Sequence, residues 1–495
     1  MTRTADRQPA AETGGGVTRR EAMKLAAGAA AAAALRPPSA QAATAQAGAA
    51  RPGTTKKVIV AGAGIGGLCC AYELTRRGHE VVVLDAAGRH GGHVLTVRDG
   101  LSDGLYADGG AEHITKPGYD RWWAYAEEFG LEVLRYPRRE NMLRRIDGAF
   151  YSEEMLADPA VLARFGFNPR ERKYLSEHPW WDLRSLYTRP YLDAFSDEYQ
   201  PFGTGYDHLD ETPIAELYRK DGASEAALRF LGGAGSSALY GLWYDAILHL
   251  RGVPIWPPEV YRLKGGNQGL TDAFAGRLGE RVKLDCPVVA IEHGATGVTV
   301  RYRELGEEKR ESADFLASCI PPPAFRGIPV TPELPPEKRH AIDGVSYDSY
   351  SRLVFQARSE FWLDDGLSIN MELDHPSLSS IWRVAEEVDT HRVALMGVAP
   401  GGISPQRALA ALREVYPGKR ISVEHAQVKD WTQDRSSPTC ERDAFPIGGL
   451  ARMWPHAITP VGRLHFAGAS ADNLNWGMEA ATRSANRVAE EIDRA

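Results

Sequence analysis

The sequence predicts an α/β protein of more than one domain, and three observations carry that reading. The chain has 495 residues, against roughly 100–200 residues for a single domain. Short β-branched runs alternate with stretches of helical spacing. Lys57-Val58-Ile59-Val60-Ala61 runs directly into the glycine series Gly62-x-Gly64-x-x-Gly67 and then into helical spacing from Leu68 to Arg77.

Composition narrows the class. Hydrophobic residues make up 43% and charged residues 25%, as expected of a chain that folds around a core. The net charge of −7 suggests neither a nucleic acid nor an anionic membrane as partner. Five cysteines without a CxxC spacing argue against a dense disulfide framework and indicate no metal site. Collagen, coiled coil, solenoid and polytopic membrane protein are excluded, which leaves a large globular protein, most simply an enzyme.

Residues 1–42 carry the parts of a bacterial export signal. Thr18-Arg19-Arg20-Glu21-Ala22-Met23-Lys24 precedes an Ala-rich run from Leu25 to Leu35, and Ala40-Gln41-Ala42 offers a small-residue cleavage site. The paired arginines resemble the twin-arginine class, with Ala at the usual Phe position. The apolar run is too short for an integral membrane span, which takes about 20 residues. Cleavage leaves 52 basic and 62 acidic residues, a net charge of −10. The expectation is an exported protein, secreted or held in the cell envelope. Residues 43–55 read as a linker.

The glycine motif stands in the context it needs. Gly78 ends the helix, and Val81-Val82-Val83-Leu84 forms a second strand ending in Asp85, eighteen residues past Gly67. In such a Rossmann-type unit Gly62 allows the tight turn, Gly64 admits a pyrophosphate to the backbone, and Gly67 lets helix and strand pack closely. The helix N-terminus attracts the phosphates, and Asp85 can bind the adenosine ribose hydroxyls. Cys69 and Cys70 fall inside the helix and read as inert core residues.

Two further glycine pairs decide between NAD and FAD. Arg89-His90-Gly91-Gly92-His93-Val94-Leu95-Thr96 is followed by Ala107-Asp108-Gly109-Gly110-Ala111-Glu112-His113. These residues resemble the flavin amine oxidase family of monoamine, polyamine and L-amino-acid oxidases, whose signature is R-x-G-G-R-x-x-T and then D-x-G-G. His93 stands where the family has its second arginine. Later landmarks recur in the family's order. They are Tyr261–Leu270, the strand Val282–Ile291 with Val288 at the adenine-reading valine, Cys319-Ile320-Pro321-Pro322, His465-Phe466-Ala467-Gly468 and Trp476-Gly477-Met478-Glu479-Ala480-Ala481.

The resemblance implies a Rossmann-type FAD-binding domain interleaved with a mixed sheet-plus-helix substrate domain. The FAD-binding parts are then 56–118, 258–328 and 431–495, with a helical substrate part at 119–257 and a substrate sheet at 329–430. FAD is the implied cofactor. Gly62, Gly64, Gly67, Asp85, Arg89, Gly91, Gly92, Gly110, Ala111, Val288, Gly468 and Met478 are its implied contacts, and the helix near Met478 points its N-terminus at the flavin pyrimidine.

The same resemblance implies transfer of a hydride equivalent from the carbon beside nitrogen to flavin N5. This gives an imine and, with oxygen as acceptor, hydrogen peroxide. The implied substrate is a small amine or amino compound, and a homodimer is left open. Alignment on Phe361-Trp362 puts Arg352 where the family has a lysine. There it either holds a water, grips a substrate carboxylate, or is an ordinary surface arginine. Trp431 and Cys440 are spaced as in monoamine oxidases, so Cys440 is either a covalent FAD tether or a plain thiol. Glu441 and Gly477, beside Trp476, occupy the positions of the family's two cage rings. Arg352, Glu441 and Trp476 are therefore the catalytic candidates.

Glu112, His113 and Trp431 are the substrate-binding candidates; Glu112 either draws in a cationic amine or orients FAD. The altered cage keeps a second reading open, an FAD-dependent dehydrogenase or desaturase acting on C–C or C–O bonds. A third is a flavin-binding protein without catalysis.

Overall fold

The computed structural model describes residues 55–495 other than 234, 348, 417–422 and 439–443. The segment read as an export signal, nearly all of the linker, Cys440 and Glu441 lie outside the described residues.

The β-branched run Lys57–Ala61 is a strand, followed by helix Ile65–Arg76 and strand Glu80–Leu84. Val58 to Ala61 are fully buried because this strand is central. It pairs in parallel with Glu80–Leu84 on one side and Phe315–Ser318 on the other. Val282–Lys283 and Leu464–Phe466 complete a five-stranded, all-parallel sheet. Side chains alternate between its faces. Val58 and Val60 pack with Leu68 and Leu74 of the first helix and Val488 and Ile492 of the last, Gly477–Arg494. Ile59 and Ala61 pack on the other face with Ile291, Val300 and Leu316. Cys69 and Cys70 are buried in the first helix. Burial pushes the Cys69 thiol up, and contact with Cys319 together with burial does the same for Cys70.

The parallel sheet draws strands from three distant stretches of chain, so the intervening segments must leave and return. Two excursions, one before Val282–Lys283 and one before Leu464–Phe466, together build a seven-stranded sheet in the order Val423–Asp430, Tyr350–Ala357, Val393–Pro400, Leu378–Val384, Met371–His375, Leu143–Ile146, Ala149–Tyr151. Helix Pro405–Val415 covers it through Ala408, Ala411, Leu412 and Val415, against Leu353, Phe355 and Leu395. Residues 119–257 include the expected helices Glu225–Leu231 and Ala238–Leu250.

That segment also carries strands that helical spacing did not predict. Val133–Tyr136 pairs with Val260–Leu263, and the hairpin Leu143–Ile146/Ala149–Tyr151 extends the seven-stranded sheet by pairing with Met371–His375. Leu143-Arg144-Arg145-Ile146 has no apolar alternation, so its strand state is set by partner strands and not by its own pattern. The run 282–291, read as one strand, is broken into Val282–Lys283 and Val288–His293, with Asp285 between them at φ +53°.

The glycine turn tolerates no side chain at its tightest point. A Cβ on Gly67 would lie 1.8 Å from the Gly62 carbonyl oxygen, far inside contact distance. Gly67→Ala should therefore lower Tm by several degrees and reduce bound flavin, read by thermal melting and flavin absorbance. Gly276→Ala, in helix Gln268–Leu278 with nothing within 4 Å of the added Cβ, should raise stability by up to about 1 kcal/mol.

Candidate active site

The carboxyl ends of the parallel strands converge on one cleft. Gly62, Asp85, Cys319 and Ala467 each follow a strand of the sheet and line a cavity of about 370 Å³, where ligands bind in open α/β sheets. Helix Ile65–Arg76 opens at Gly64 with no side-chain cap and no acidic residue in its first turn. Its leading N–H groups are therefore available to an anion. Gly62 sits at φ +107°, and the nearest atom to a Cβ on Gly64 would be Gly92 Cα at 3.8 Å, so the turn is open to a pyrophosphate. This cradle fits a dinucleotide.

Ten of the twelve residues expected to contact FAD line the cavity: Gly62, Gly64, Gly67, Asp85, Arg89, Gly92, Ala111, Val288, Gly468 and Met478. Gly91 and Gly110 stand behind that lining. The Gly91 N–H donates to the Ala63 carbonyl at 2.8 Å, and a Cβ on Gly110 would lie 1.8 Å from the His93 carbonyl oxygen. Asp85 accepts from the N–H groups of Ala63 (2.5 Å) and Ala87 (2.8 Å), tying the two loops that flank it. Arg89 donates to the Gly92 carbonyl at 2.7 Å and so fixes the second glycine loop.

The segment Asp108–Glu112 is clamped by Asn267, from the loop after strand Val260–Leu263. The Asn267 N–H donates to Asp108 Oδ1 (3.0 Å), its side-chain amide donates to the carbonyls of Ala111 (3.3 Å) and Glu112 (2.5 Å), and its Oδ1 accepts from the Leu263 N–H (3.0 Å). Thr96 donates to Asp108 Oδ1 at 2.7 Å. Burial pushes the Asp108 carboxyl up to about 7 against these bonds.

Glu112 is buried at the end of this clamped segment. Its Oε2 accepts from Arg138 Nη1 at 2.9 Å and lies 3.7 Å from His113 Nδ1 and 4.0 Å from Arg352 Nη1. Burial works against its charge, but Arg138, His113 and Arg352 hold the carboxyl down at about 2. Among the described residues no donor reaches Glu112 Oε1. His113 is flanked by Arg138 at Nδ1 (2.9 Å) and Arg139 at Nε2 (3.3 Å). Burial, reinforced by both arginines against Glu112, pushes it down to about 4. A neutral ring has one bare nitrogen, so it accepts from only one of the two.

Arg352 lies in strand Tyr350–Ala357, with Nη1 4.0 Å from Glu112 Oε2, and its charge also lowers the pKa of the cavity residue His93. His93 is half-buried at the wall of the cofactor cavity, packs on Trp431 with ring centroids 4.1 Å apart, and has no partner at Nε2 among the described residues. Burial, with Arg352, Lys429 and Arg89 acting the same way, pushes its imidazole down to about 3. Trp431 donates to the Gly109 carbonyl at 2.7 Å and lies under the Lys429 ammonium at 4.2 Å. Asn475 and Gly477 line the cavity, whereas Trp476 stacks on Tyr119 at 5.5 Å and donates to the Tyr244 hydroxyl at 2.5 Å.

The family model for flavin containing amine oxidoreductases matches residues 65–493. The chain belongs to that family. A flavin-containing amine oxidase of Oncorhynchus mykiss is 26% identical over 473 residues, 88% of this chain and 86% of its own. An L-amino-acid oxidase of Vipera ammodytes ammodytes is 26% identical over 469 residues, 89% and 93% of the two chains. Among solved structures, cyclohexylamine oxidase from Brevibacterium oxydans IH-35A superposes with a TM-score of 0.72 at 21% identity, and putrescine oxidase bound to putrescine with 0.74 at 20%. Each covers 89% of this chain and 99% of its own. This flavoenzyme is thus an FAD-dependent oxidoreductase of amines or amino acids, with the α/β architecture expected from its sequence.

Sequence reasoning passed over Arg138 and Arg139 and the clamp of Asn267. The adjacent arginines were a visible signal; the clamp depends on a contact between residues 155 positions apart and had none.

The half-buried imidazoles of His93 and His113 make the flavoenzyme acid-labile in a stated window. The unfolded chain takes up protons near pH 6.5, whereas His113 and His93 resist until about 4 and 3. Both lowered values stabilise the fold above pH 6.5, and that contribution is lost as pH falls toward 4. Tm of the flavin-loaded protein should drop over this interval, and His113→Asn should flatten the drop.

Proposed function

We propose that this flavoenzyme is an exported oxidase of an amine or amino compound. The substrate carbon beside nitrogen gives up a hydride and the nitrogen a proton. Water hydrolyses the resulting imine, and oxygen accepts the two electrons, so that R–CH2–NH2, O2 and H2O yield R–CHO, NH3 and H2O2. FAD bound in the cleft supplies the two-electron acceptor. The export signal read at residues 1–42 supports action outside the cytoplasm.

The observation that carries the reading is the buried Glu112 carboxylate, next in sequence to the cavity residue Ala111 and with Oε1 lacking a protein donor among the described residues. A charged acceptor in a desolvated setting binds an amine N–H strongly. With its carboxyl held at about 2, Glu112 orients the amine and does not act as its base. His93 and His113, lowered to about 3 and 4, are equally poor bases near neutrality. The amine must therefore lose its proton to water before oxidation. His93 lines the cofactor cavity and packs on Trp431, which puts an aromatic surface at its wall.

Anaerobic mixing with a panel of amines, polyamines and amino acids, then aeration, tests the proposal. Bleaching of the flavin band by one class, with fast recovery and peroxide on aeration, is expected. A fully flavin-loaded protein that stays oxidised with every class would overturn it and favour the C–C or C–O dehydrogenase reading. Glu112→Gln should raise the half-saturating amine concentration about tenfold, in line with loss of one charged contact. The acid limb of kcat/KM should follow the pKa of the amine when two amines of different basicity are compared. A limb fixed in pH would assign the proton to an enzyme group.

A further inference from the structure

A second cavity, of about 520 Å³, lies in the substrate domain, and its walls are cationic. Five arginines line it, Arg138, Arg139, Arg144, Arg145 and Arg229, against three carboxyls, Asp147, Glu372 and Asp374. That excess rests on three of the arginines. Arg145 and Asp374 neutralise each other at 2.7 Å, and burial pushes the Glu372 carboxyl up, toward its uncharged form. Arg138 is committed to Glu112. Arg139, Arg144 and Arg229 form no ion pair with any described residue.

The arginines are held face-on by aromatic rings. Arg138 stacks on Trp382 at 3.8 Å, Arg139 on Trp256 at 4.0 Å, and Arg144 lies between Trp180 at 4.4 Å and Phe230 at 4.1 Å. Stacking uses the guanidinium face and leaves its N–H edge for a planar or tetrahedral oxyanion. The Arg144 side chain makes no hydrogen bond among the described residues, and burial lowers its pKa, with only Glu372 opposing. Burial likewise pushes Arg139 down to about 9, with Arg138 adding to the effect. Arg139 and Arg144 are half-buried and Arg229 is exposed; the two half-buried cations carry a desolvation cost without an anion beside them, and a bound anion relieves it.

The cavity adjoins the site already described. Arg138 lines it and holds Glu112, whose neighbour Ala111 lines the cofactor cavity. We propose that this cavity seats an anionic group at the end of the substrate remote from the oxidised amine, with Arg144 as its main contact and Arg139 and Arg229 beside it. The substrate class is then an amino compound with a distal carboxylate or phosphate. This rests on the amine-oxidation reading above, and the two are separable by experiment.

The flavin-loaded enzyme, Arg144→Gln and Arg144→Lys are titrated calorimetrically with glutarate and with inorganic phosphate. Each is also mixed anaerobically with matched pairs: L-glutamate and L-norvaline, 5-aminopentanoate and pentylamine, 4-aminobutyl phosphate and butylamine. In at least one pair the acid-ended member should half-saturate bleaching at a concentration at least tenfold lower. The gap should shrink in Arg144→Gln and at high salt and return in part in Arg144→Lys, and the stronger of glutarate and phosphate identifies the oxyanion. Equal or better bleaching by the uncharged member of every pair overturns the inference and leaves amine oxidation standing. Arg144-dependent binding of glutarate or phosphate with no bleaching by any amine supports the anion site and overturns the oxidase reading. Absence of both Arg144-dependent binding and acid-selective bleaching overturns the anion site.

Discussion

A carboxylate withdrawn from water keeps its charge only if cations come with it, and the site of this flavoenzyme is organised around one such group. Glu112 is buried, yet Arg138 at 2.9 Å and Arg352 at 4.0 Å hold it ionised. The two arginines come from different elements, the turn after strand Val133–Tyr136 and the strand Tyr350–Ala357. Asn267 ties the Glu112 backbone to a third, the loop that follows Val260–Leu263. Keeping this one charge therefore requires the substrate sheet, the strand pair Val133–Tyr136/Val260–Leu263 and the segment Asp108–Glu112 to be docked together. Loss of Arg138, the cation in direct contact with it, would leave the buried carboxylate only partly compensated, a larger penalty than a surface pair carries.

The same cluster divides the labour between the cavities. On one side lies the cleft at the carboxyl ends of the parallel strands, lined by glycines and small apolar residues and fed by an uncapped helix N-terminus. Backbone N–H groups dominate there, which suits a dinucleotide whose reactivity belongs to the cofactor. On the other side lie stacked guanidiniums, which recognise charge and geometry and cannot exchange protons near neutrality. Neither side supplies a good base. The chain's contribution is placement, desolvation and a fixed electrostatic field, with the proton left to the substrate and water.

The dinucleotide unit was legible because its constraints are local. The strand Lys57–Ala61, the three glycines, the helix and Asp85 fall within thirty residues, and the tightest contact, Gly67 against the Gly62 carbonyl, is made inside that stretch. The resemblance carried by Ala107–His113 and by Trp476–Ala481 likewise located residues of the cofactor cavity. What sequence could not give was the strand state of Leu143–Ile146, decided by pairing with Met371 and Glu372 more than two hundred residues away. The pairing of Glu112 with Arg138 was equally hidden. Its partner was in plain view, but nothing in the spacing of Pro137-Arg138-Arg139 says that the chain turns back toward residue 112.

Charge shows why whole-chain quantities fall short of a site. A net charge of −7 is a statement about the surface seen from several Debye lengths away, and it bears on large polyanionic partners. It does not set the sign inside a cavity, where neighbours within a few ångströms and a low dielectric decide. Arg144 and Arg145 look in the sequence like part of an ordinary polar stretch. The hairpin brings them to the sheet edge beside Arg138 and Arg139, while the nearest acids are either paired, as Asp374 is, or driven toward their neutral form by burial, as Glu372 is. An acidic protein can thus hold a strongly cationic chamber next to its cofactor cleft. A small anionic tail, shielded from the outer surface once inside, responds to the chamber and not to the total.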